Sequence, residues 1–247
     1  MTVSGWAAAA GARALVFPAA DASTDNSRLR IDGADGHHLQ RVRRIELHET
    51  IVVADARGGW YTAEVVGLGD GAVDVERTGP NHVEPVNAPT ITIAFAPAKS
   101  DHGTEVVHQL VELGVDRVIP TLMQRSVVRW DGSRAAKAHD RLRRIAREAA
   151  MQSHRARIPI VEAPISVASL AGHPGLVVAE RGGRPIAELA EPRGGERVVV
   201  IGPEGGLAPE ERSALGEIAT IGIGGHVLRS VTAPVAVAAV LAARRRS

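Results

Sequence analysis

The segment VVVIGPEGGLAPEE, residues 198–211, decides how the second half of the chain folds. Four apolar residues run into Gly202, which is followed by a proline, a glutamate and two further glycines. A short apolar run bounded by glycine and proline is typical of a buried strand. The residues after the glycines read as the first turn of a helix. Because a glycine-rich turn that follows a buried strand is a common binding place, we predict that this turn holds a ligand.

The residues of the turn narrow the class of ligand. Leu207 and Ala208 follow Gly206, so the lysine and the hydroxyl of a phosphate-binding P-loop are both missing. The stretch also does not match the G-x-G-x-x-G pattern of dinucleotide-binding turns. Glu204 would repel a phosphate, whereas a nucleoside with a positive centre would suit the turn, since glycine backbone lets a ligand approach closely. The alternative is a plain strand-to-helix turn that uses glycine only for backbone freedom.

A second segment, IGIGGHVLRSVTAPVAVAAVL, has the same order of features at residues 221–241. It reads as a short strand, a glycine turn and an apolar helix that begins near Thr232 and Pro234. Two strand ends with glycine turns, about 20 residues apart, are predicted to form two walls of one pocket. The helix is apolar on nearly all sides, which indicates burial either within the domain or against a partner.

The amino-acid composition limits the classes of protein to which the chain can belong. The chain has 247 residues, of which 45% are hydrophobic and 23% charged, as in ordinary globular proteins. It contains no cysteine, which excludes disulfides and thiolate metal sites and favours a cytoplasmic protein. We predict no metal site. No apolar run approaches the roughly 20 residues that span a bilayer, so we predict no membrane partner. The N-terminal alanine run has no basic segment before it and is not read as a signal peptide.

The charge pattern is more informative than the net charge of +1. Arginines cluster at 41–44, at 141–157 and at 244–246, while acidic residues are spread more evenly. Aromatic residues make up only 2% of the chain, which disfavours modules that stack many bases on an aromatic sheet. If the protein binds RNA, it does so mainly through charge and shape. The arginines at 244–246 follow a helix, where cations complement the helix dipole.

The organisation of the chain changes once, near residues 80–90. Short β-type segments separated by turn signals precede this point, which predicts a small β-barrel over residues 1–83. The linker GPNHVEPVNAP follows. Strand-like and helix-like runs then alternate, which predicts an α/β domain with a mostly parallel sheet over residues 88–247. The strand-like runs of this second domain are TITIAFAPA, RVIPTLM, GLVVAE and RVVVIG, and the helical runs are GTEVVHQLVELG, SRAAKAHDRLRRIAREAAMQS and APVAVAAVLAARRR.

The two glycine-turn segments, in this order, resemble the SPOUT superfamily of methyltransferases. Within it, the chain resembles the ribosomal RNA small subunit methyltransferase E family, which methylates N3 of one uridine in 16S rRNA. The likeness covers nearly the whole chain and begins with a PUA-like RNA-binding barrel. Its motifs, in the family's order, are GADGHHLQRVRRIELHETIVVADARGGWYTAEV, VELGVDRVIPTLMQRSVVR, IAREAAMQSHRARIPIV, IGPEGGLAPEE and VLRSVTAPVAV.

This resemblance implies an α/β fold of the SPOUT type, with a trefoil knot near the C-terminus, preceded by the PUA-like barrel. It also implies that S-adenosylmethionine is the cofactor, that 16S rRNA or the small ribosomal subunit is the partner, and that the chain forms a homodimer. The cofactor-binding residues that it implies are Val178, Ala179, Glu180, Ile201, Gly202, Pro203, Glu204, Gly205, Gly206, Leu207, Ile221, Gly222, Ile223, Val227, Leu228 and Arg229.

The reaction needs a group that removes the N3 proton or stabilises the uridine anion. Arg229 fits the second role because it is always charged, and it is predicted with Thr232 to lie nearest the chemistry. Glu204 and His226 remain alternatives for the base. The family often has an acid and a threonine directly after the leucine–arginine pair, whereas this chain has Ser230 and Val231. The residues predicted to bind RNA are Arg41, Arg43, Arg44, Arg125, Ser126, Gln152 and Arg155.

Two other functions remain open at this point. One is a noncatalytic RNA-binding protein of the PUA/SPOUT type, which methyl incorporation into RNA would exclude. The other is a nucleotide hydrolase that uses the turn after Gly202, although the missing P-loop lysine disfavours it.

Overall fold

The computed structural model describes residue 9 and residues 11–18, 27–97, 102–192 and 194–245. The chain divides into two compact units. The first comprises residues 1–85 and 150–158, and the second comprises residues 86–149 and 159–247. The segment 150–158, which the sequence analysis assigned to the second domain, thus belongs to the first unit. The domain bounds 1–83 and 88–247 stay a prediction.

The first unit is a mostly antiparallel sheet. Its strand order is β1-β3-β4-β5-β2, with β6 paired to β4, and only β1 and β3 run parallel. A short helix, α1, continues directly into a π-helical turn at His38–Val42. The elements are β1 (Leu15–Val16), β2 (Arg28–Ile31), α1 (Gly33–His37), β3 (Thr50–Ala54), β4 (Gly59–Gly69), β5 (Ala72–Arg77) and β6 (His82–Val83).

Strand β2 is one of the elements of this unit that the sequence analysis did not foresee. It has only four residues, and its alternate positions are exposed arginines. Arg28 and Arg30 form ion pairs with Glu76 and Asp74 on the neighbouring strand β5. Cross-strand pairs of this kind stabilise a sheet edge. They become visible only once the register of the two strands is known.

The second unit is built on a parallel sheet of the order β10-β8-β7-β12-β11-β13, with β9 paired to β8. This confirms the strand–helix alternation read from the sequence. The elements are β7 (Thr90–Phe95), α2 (His102–Glu112), β8 (Arg117–Leu122), α3 (Gly132–Gln152), β9 (Ile160–Val161), β10 (Ile165–Ser166), β11 (Leu176–Pro185), β12 (Glu196–Ile201), α4 (Pro209–Leu215), β13 (Thr220–Gly222) and α5 (Thr232–Arg244).

The core of the second unit follows from the apolar runs of these strands. Strand β12 is buried at five of its six residues, 197–201, as expected for a strand covered on both faces. Helix α5 buries one side through Pro234, Val237, Ala238 and Leu241. No helix in the described part of the chain is both long enough and apolar enough to cross a membrane.

Strand β11 carries a bulge at residues 180–183. Ile221 of β13 is the register partner of both Ala179 and Arg184, so the four residues between them leave the ladder. A Cβ added at Gly183 would lie 2.5 Å from the backbone of Ile221, which only glycine avoids. Glu180 and Arg181, two of the residues in this bulge, line a cavity.

The two described arginines at the end of α5 are anchors of the fold. Arg244 donates to the carbonyl oxygens of Ile186 and Leu189. Arg245 donates to Gly114 O at 2.7 Å and to Pro89 O at 3.1 Å, and forms an ion pair with Asp116. For Arg244 and Arg245, specific bonds to distant loops thus replace the helix-dipole interaction that was expected from the sequence. Arg246 lies outside the described residues.

Candidate functional site

A cavity of about 340 Å³ opens where β11, β12 and β13 end. The carboxyl ends of parallel strands are the usual place for ligands in α/β sheets. Its walls come from three successive turns of the chain and from the first turn of α5. The lining residues are Val178, Ala179, Glu180, Arg181, Ile201, Gly202, Pro203, Glu204, Gly205, Gly206, Leu207, Ile221, Gly222, Ile223, Gly224, His226, Val227, Leu228, Ser230 and Ala233.

The structure brings the residues expected to bind the cofactor together in this one cavity, with the exception of Arg229. It adds Arg181, Gly224, Ser230 and Ala233 to them, and it places His226 on the same wall. Arg181 was missed because it lies in the β11 bulge, and a bulge leaves no clear signal in a sequence. Whether each lining residue contacts the ligand stays a prediction.

The three glycines of the first turn do different things. Gly206 has a φ of +68° and open space beside its Cα, so it supplies both the turn and a bare backbone surface. A Cβ on Gly202 would meet the backbone of Gly206 at 3.4 Å, so Gly202 serves the tightness of the turn. A Cβ on Gly205 would meet the side chain of Arg125 at 3.4 Å. A side chain at position 205 would therefore point towards Arg125.

Glu204 is held as a carboxylate at the rim of the cavity. The Ser230 hydroxyl donates to Glu204 Oε1 at 2.6 Å. This bond, with backbone hydrogen bonds and the charge of Arg229, lowers the pKa of Glu204 below its usual range. A carboxylate with a lowered pKa is a weak proton acceptor but a good partner for a positive group. Glu204 is therefore better suited to hold a cation than to act as a base.

The two residues predicted nearest the chemistry lie at the start of α5. Arg229 is exposed, and its carbonyl accepts the N–H groups of Thr232 at 2.9 Å and Ala233 at 3.0 Å. Thr232 is the first residue of the helix and is also exposed. Neither residue lines the cavity, but their chain neighbours Leu228, Ser230 and Ala233 do, which places both beside it. The Arg229 side chain is solvent-exposed, and its charge reaches the Glu204 carboxylate.

The glycine turn is tied to the loop that follows β8, residues 123–131, here called the β8 loop. Arg125 Nη1 donates to Gly205 O at 2.7 Å. The buried Glu211 side chain accepts the N–H of Gln124 at 2.7 Å and that of Ala208 at 2.8 Å. One carboxylate thus caps α4 and fixes the β8 loop at the same time.

We expect Glu211→Gln to destabilise the protein by about 1–3 kcal/mol. An amide has one acceptor oxygen, so either the Gln124 or the Ala208 N–H loses its partner in a buried place. Thermal unfolding followed by circular dichroism measures the loss.

Glu210→Gln is the matched control, because this neighbour carries the same charge on the same helix but is exposed. We expect it to change stability by less than about 1 kcal/mol. Equal losses in the two variants would show that charge at the start of α4, and not the paired hydrogen bonds of Glu211, is what matters.

In the first unit, the predicted RNA-binding arginines lie at and just after the π-helical turn. Arg41 and Arg44 are exposed and Arg43 is half-buried. Burial, together with the charge of Arg43, lowers the pKa of His154, so this histidine is uncharged near neutral pH. The charge of Arg43 thus acts on a residue of a motif that is far from it in the sequence.

The other residues of the predicted RNA set differ in exposure. Gln152 and Arg125 are exposed, but Arg125 already bonds to the glycine turn. Ser126 is only 7% exposed and Arg155 only 9%, so neither offers its side chain to an RNA phosphate in this structure. Their place in the RNA-binding set stays a prediction. Sequence alone gave no signal of their burial, because both belong to residue types that are usually exposed.

Family models match both halves of the chain. A model of the RNA methyltransferase domain matches residues 86–242, and a model of the RNA methyltransferase PUA domain matches residues 31–76.

Curated relatives and solved structures agree with these matches. The ribosomal RNA small subunit methyltransferase E of Mycobacterium bovis is 35% identical over 214 residues, which are 82% of this chain and 81% of that protein. The protein of the same name from Bacillus subtilis is 30% identical over 83% of this chain and 85% of its own length. A crystal structure of the Neisseria gonorrhoeae ribosomal RNA small subunit methyltransferase E, bound to S-adenosyl methionine, superposes with a TM-score of 0.81 at 25% identity, covering 92% of this chain and 96% of that one.

Proposed function

Because the chain belongs to the ribosomal RNA small subunit methyltransferase E family, we propose that it transfers the methyl group of S-adenosylmethionine to N3 of a uridine in 16S rRNA. It is an enzyme with a SPOUT-type, knotted α/β domain preceded by a PUA-like domain. The observation that carries the proposal is the cavity at the ends of β11, β12 and β13, in a chain whose relatives act on ribosomal RNA. A noncatalytic RNA-binding protein is not favoured.

The cavity suits S-adenosylmethionine in size and in charge. Its volume of about 340 Å³ lies within the range of small-molecule pockets. Apolar strand ends and bare glycine backbone offer a surface for the nucleoside, while the Glu204 carboxylate offers a partner for a positive centre. Backbone atoms of Gly206 and Gly222 would then supply contacts that depend little on side-chain identity.

Methyl transfer from the sulfonium is an in-line displacement: the C–S bond breaks as the N3–C bond forms, and the N3 proton is lost. Positioning therefore supplies much of the acceleration. In this proposal Arg229 stabilises the negative charge that develops on the uracil ring. His226 is the better placed of the two base alternatives, because it lines the cavity and Glu204 is engaged with Ser230.

The direct test is mass spectrometry of 16S rRNA nucleosides from cells with and without the gene. Loss of N3-methyluridine in the deletion strain, restored by the purified protein and S-adenosylmethionine, supports the reaction. Unchanged methylation in the deletion strain, or no methyl transfer by the purified protein, contradicts it.

We expect Glu204→Gln to lower the affinity for S-adenosylmethionine by roughly 5-fold and to leave the affinity for S-adenosylhomocysteine nearly unchanged. The two ligands differ in the charge on sulfur, so only the first loses an attraction. Because the pKa of Glu204 is lowered, the carboxylate stays charged at neutral pH and loses its charge only as the pH falls through that lowered value. Isothermal titration calorimetry with both ligands measures the difference.

Ser230→Ala is the control for this experiment, since it removes the hydrogen bond to Glu204 and keeps the charge. We expect it to retain most of the preference for the charged cofactor. An equal loss of both ligands in Glu204→Gln would mean that the side chain shapes the wall without sensing charge.

Two further properties belong to the proposal. We place the enzyme in the cytoplasm, where ribosomal RNA is the substrate, and we propose that it forms a homodimer through the second unit. The exposed residues Ala239 and Ala243 give α5 a small-residue surface that permits close helix packing. Sedimentation of the purified chain as a monomer at micromolar concentration would contradict the dimer.

A further inference from the structure

A second cavity, of about 300 Å³, opens beside the carboxyl end of β7 in the second unit. Phe95 at the end of β7 lines it and is the register partner of Ile201 at the end of β12, which lines the first cavity. Neighbouring strands lie about 4.8 Å apart. The two cavities therefore open at adjacent strand ends along one edge of the sheet.

The chemistry of the second cavity differs from that of the first. Trp130 of the β8 loop forms part of its wall and is half-buried. Lys137 and Arg141 of α3 add two exposed cationic side chains. None of the described residues that line this cavity is acidic. An indole beside two cations is a combination that binds an aromatic ring carrying a negative group.

The spacing of the two cations points in the same direction. Lys137 and Arg141 are four residues apart on α3, so they project from the same face of the helix. Both are therefore within reach of one anion that lies over this face of the helix.

The loop that carries Trp130 is fixed at its other end. Gln124 is bonded to the buried Glu211, and Arg125 is bonded to the carbonyl of Gly205 in the first cavity. The indole is therefore part of a loop that is tied to the wall of the neighbouring cavity.

We propose that the second cavity binds a nucleotide of the RNA substrate that flanks the methylated uridine, with its base on Trp130 and its phosphate beside Lys137 and Arg141. The inference rests on the proposed function, which supplies RNA as the substrate. A free mononucleotide has the same chemistry, but RNA brings the flanking nucleotide to the cavity whenever the target uridine lies at the first one.

The test uses the full-length protein and a short RNA that contains the target uridine. We expect Trp130→Ala to weaken RNA binding about 10-fold in fluorescence anisotropy, the order expected for the loss of one base–aromatic stack. Trp130→Phe should retain most of the affinity. The affinity of each variant for S-adenosylmethionine should stay at the wild-type value, which also shows that the variants are folded.

A second experiment, with altered RNA, distinguishes stacking of a base on Trp130 from a purely structural role of that residue. An abasic site replaces each nucleotide beside the target in turn, and one of these RNAs should bind wild type and Trp130→Ala equally well. A loss on Trp130→Ala that is the same for every abasic RNA overturns the proposal. The proposal is also overturned if wild type and Trp130→Ala bind equally well only when the target uridine itself is abasic. In that case the second cavity holds the target uridine and not its neighbour.

The salt dependence of RNA binding tests whether Lys137 contacts a phosphate. Lys137→Gln should reduce the slope of log K against log salt by about 1, as for the loss of one phosphate contact. Arg143→Gln is the matched control, since it lies on the same helix, is exposed and does not line the cavity. Equal slopes for wild type and Lys137→Gln overturn the phosphate assignment.

Failure of this inference and failure of the proposed function are distinguishable. If the wild-type protein methylates the RNA but Trp130→Ala binds it as tightly as wild type, only the second cavity is misassigned. If the wild-type protein binds S-adenosylmethionine and does not methylate the RNA, the proposed function itself is wrong.

Discussion

Arg229→Ala should lower the rate of methyl transfer at saturating RNA by about 100-fold or more, which corresponds to roughly 3 kcal/mol. Arg229 lies beside the first cavity, where its charge already acts on the Glu204 carboxylate. If its guanidinium stabilises charge that develops on the uracil ring, the interaction is stronger in the transition state than in the bound substrate. The affinity for S-adenosylmethionine should change far less. Single-turnover kinetics measures the rate.

Two comparison variants make this assignment specific. Arg229→Lys should restore only part of the rate, because an ammonium group lacks the planar set of donors of a guanidinium. Arg43→Ala, in the first unit, should weaken RNA binding and its salt dependence and leave the saturated rate nearly intact. If Arg229→Ala instead raises the RNA Kd and keeps the saturated rate, Arg229 is a phosphate contact and not a catalytic residue.

Arg245→Ala should lower the free energy of unfolding by about 3 kcal/mol. The side chains of Arg245 and Asp116 are only 9% and 16% exposed, so the substitution leaves a carboxylate in a largely buried place without its cation. It also removes the donors to Gly114 O and Pro89 O. For a chain of this size, a fall in Tm of roughly 5–10 °C is expected in a thermal melt.

Arg143→Ala is the matched control for this loss of an arginine. Arg143 is exposed on α3, and such surface substitutions usually change stability by less than about 0.5 kcal/mol. A double-mutant cycle with Asp116→Ala isolates the pair. Additive losses in that cycle would show that the bonds to the two carbonyls, and not the ion pair, hold the end of α5.

Sequence predicted the parallel sheet and the walls of the first cavity well, because both depend on local signals. The apolar run at residues 198–201 and the glycines that follow it specify a buried strand and a turn without reference to the rest of the chain. The same holds for the start of α5 after the second glycine turn. The resemblance to a known family then indicated which strand ends come together.

Features that depend on distant neighbours were not predictable in this way. The burial of Ser126 and Arg155 and the anchoring role of Arg245 follow from contacts that no local pattern encodes. Trp130 was overlooked for a related reason, since a low content of aromatic residues argues against a stacking surface but not against a single stacking residue. The four-residue strand β2 lies at the lower limit of the length at which alternation is informative.

The hydrogen bond from Arg125 to Gly205 O links the glycine turn, where we propose that the cofactor binds, to the β8 loop, where we propose that the RNA binds. If RNA binds at the β8 loop as proposed, a cofactor that orders the glycine turn also orders that loop, and the bound RNA orders the glycine turn in return. Thermodynamic linkage requires the two effects to be equal, so S-adenosylmethionine should tighten RNA binding by the same factor by which RNA tightens S-adenosylmethionine binding. Cutting the bond with Arg125→Ala should lower that cooperativity factor, while the bond from Gln124 to Glu211 still ties the loop to α4.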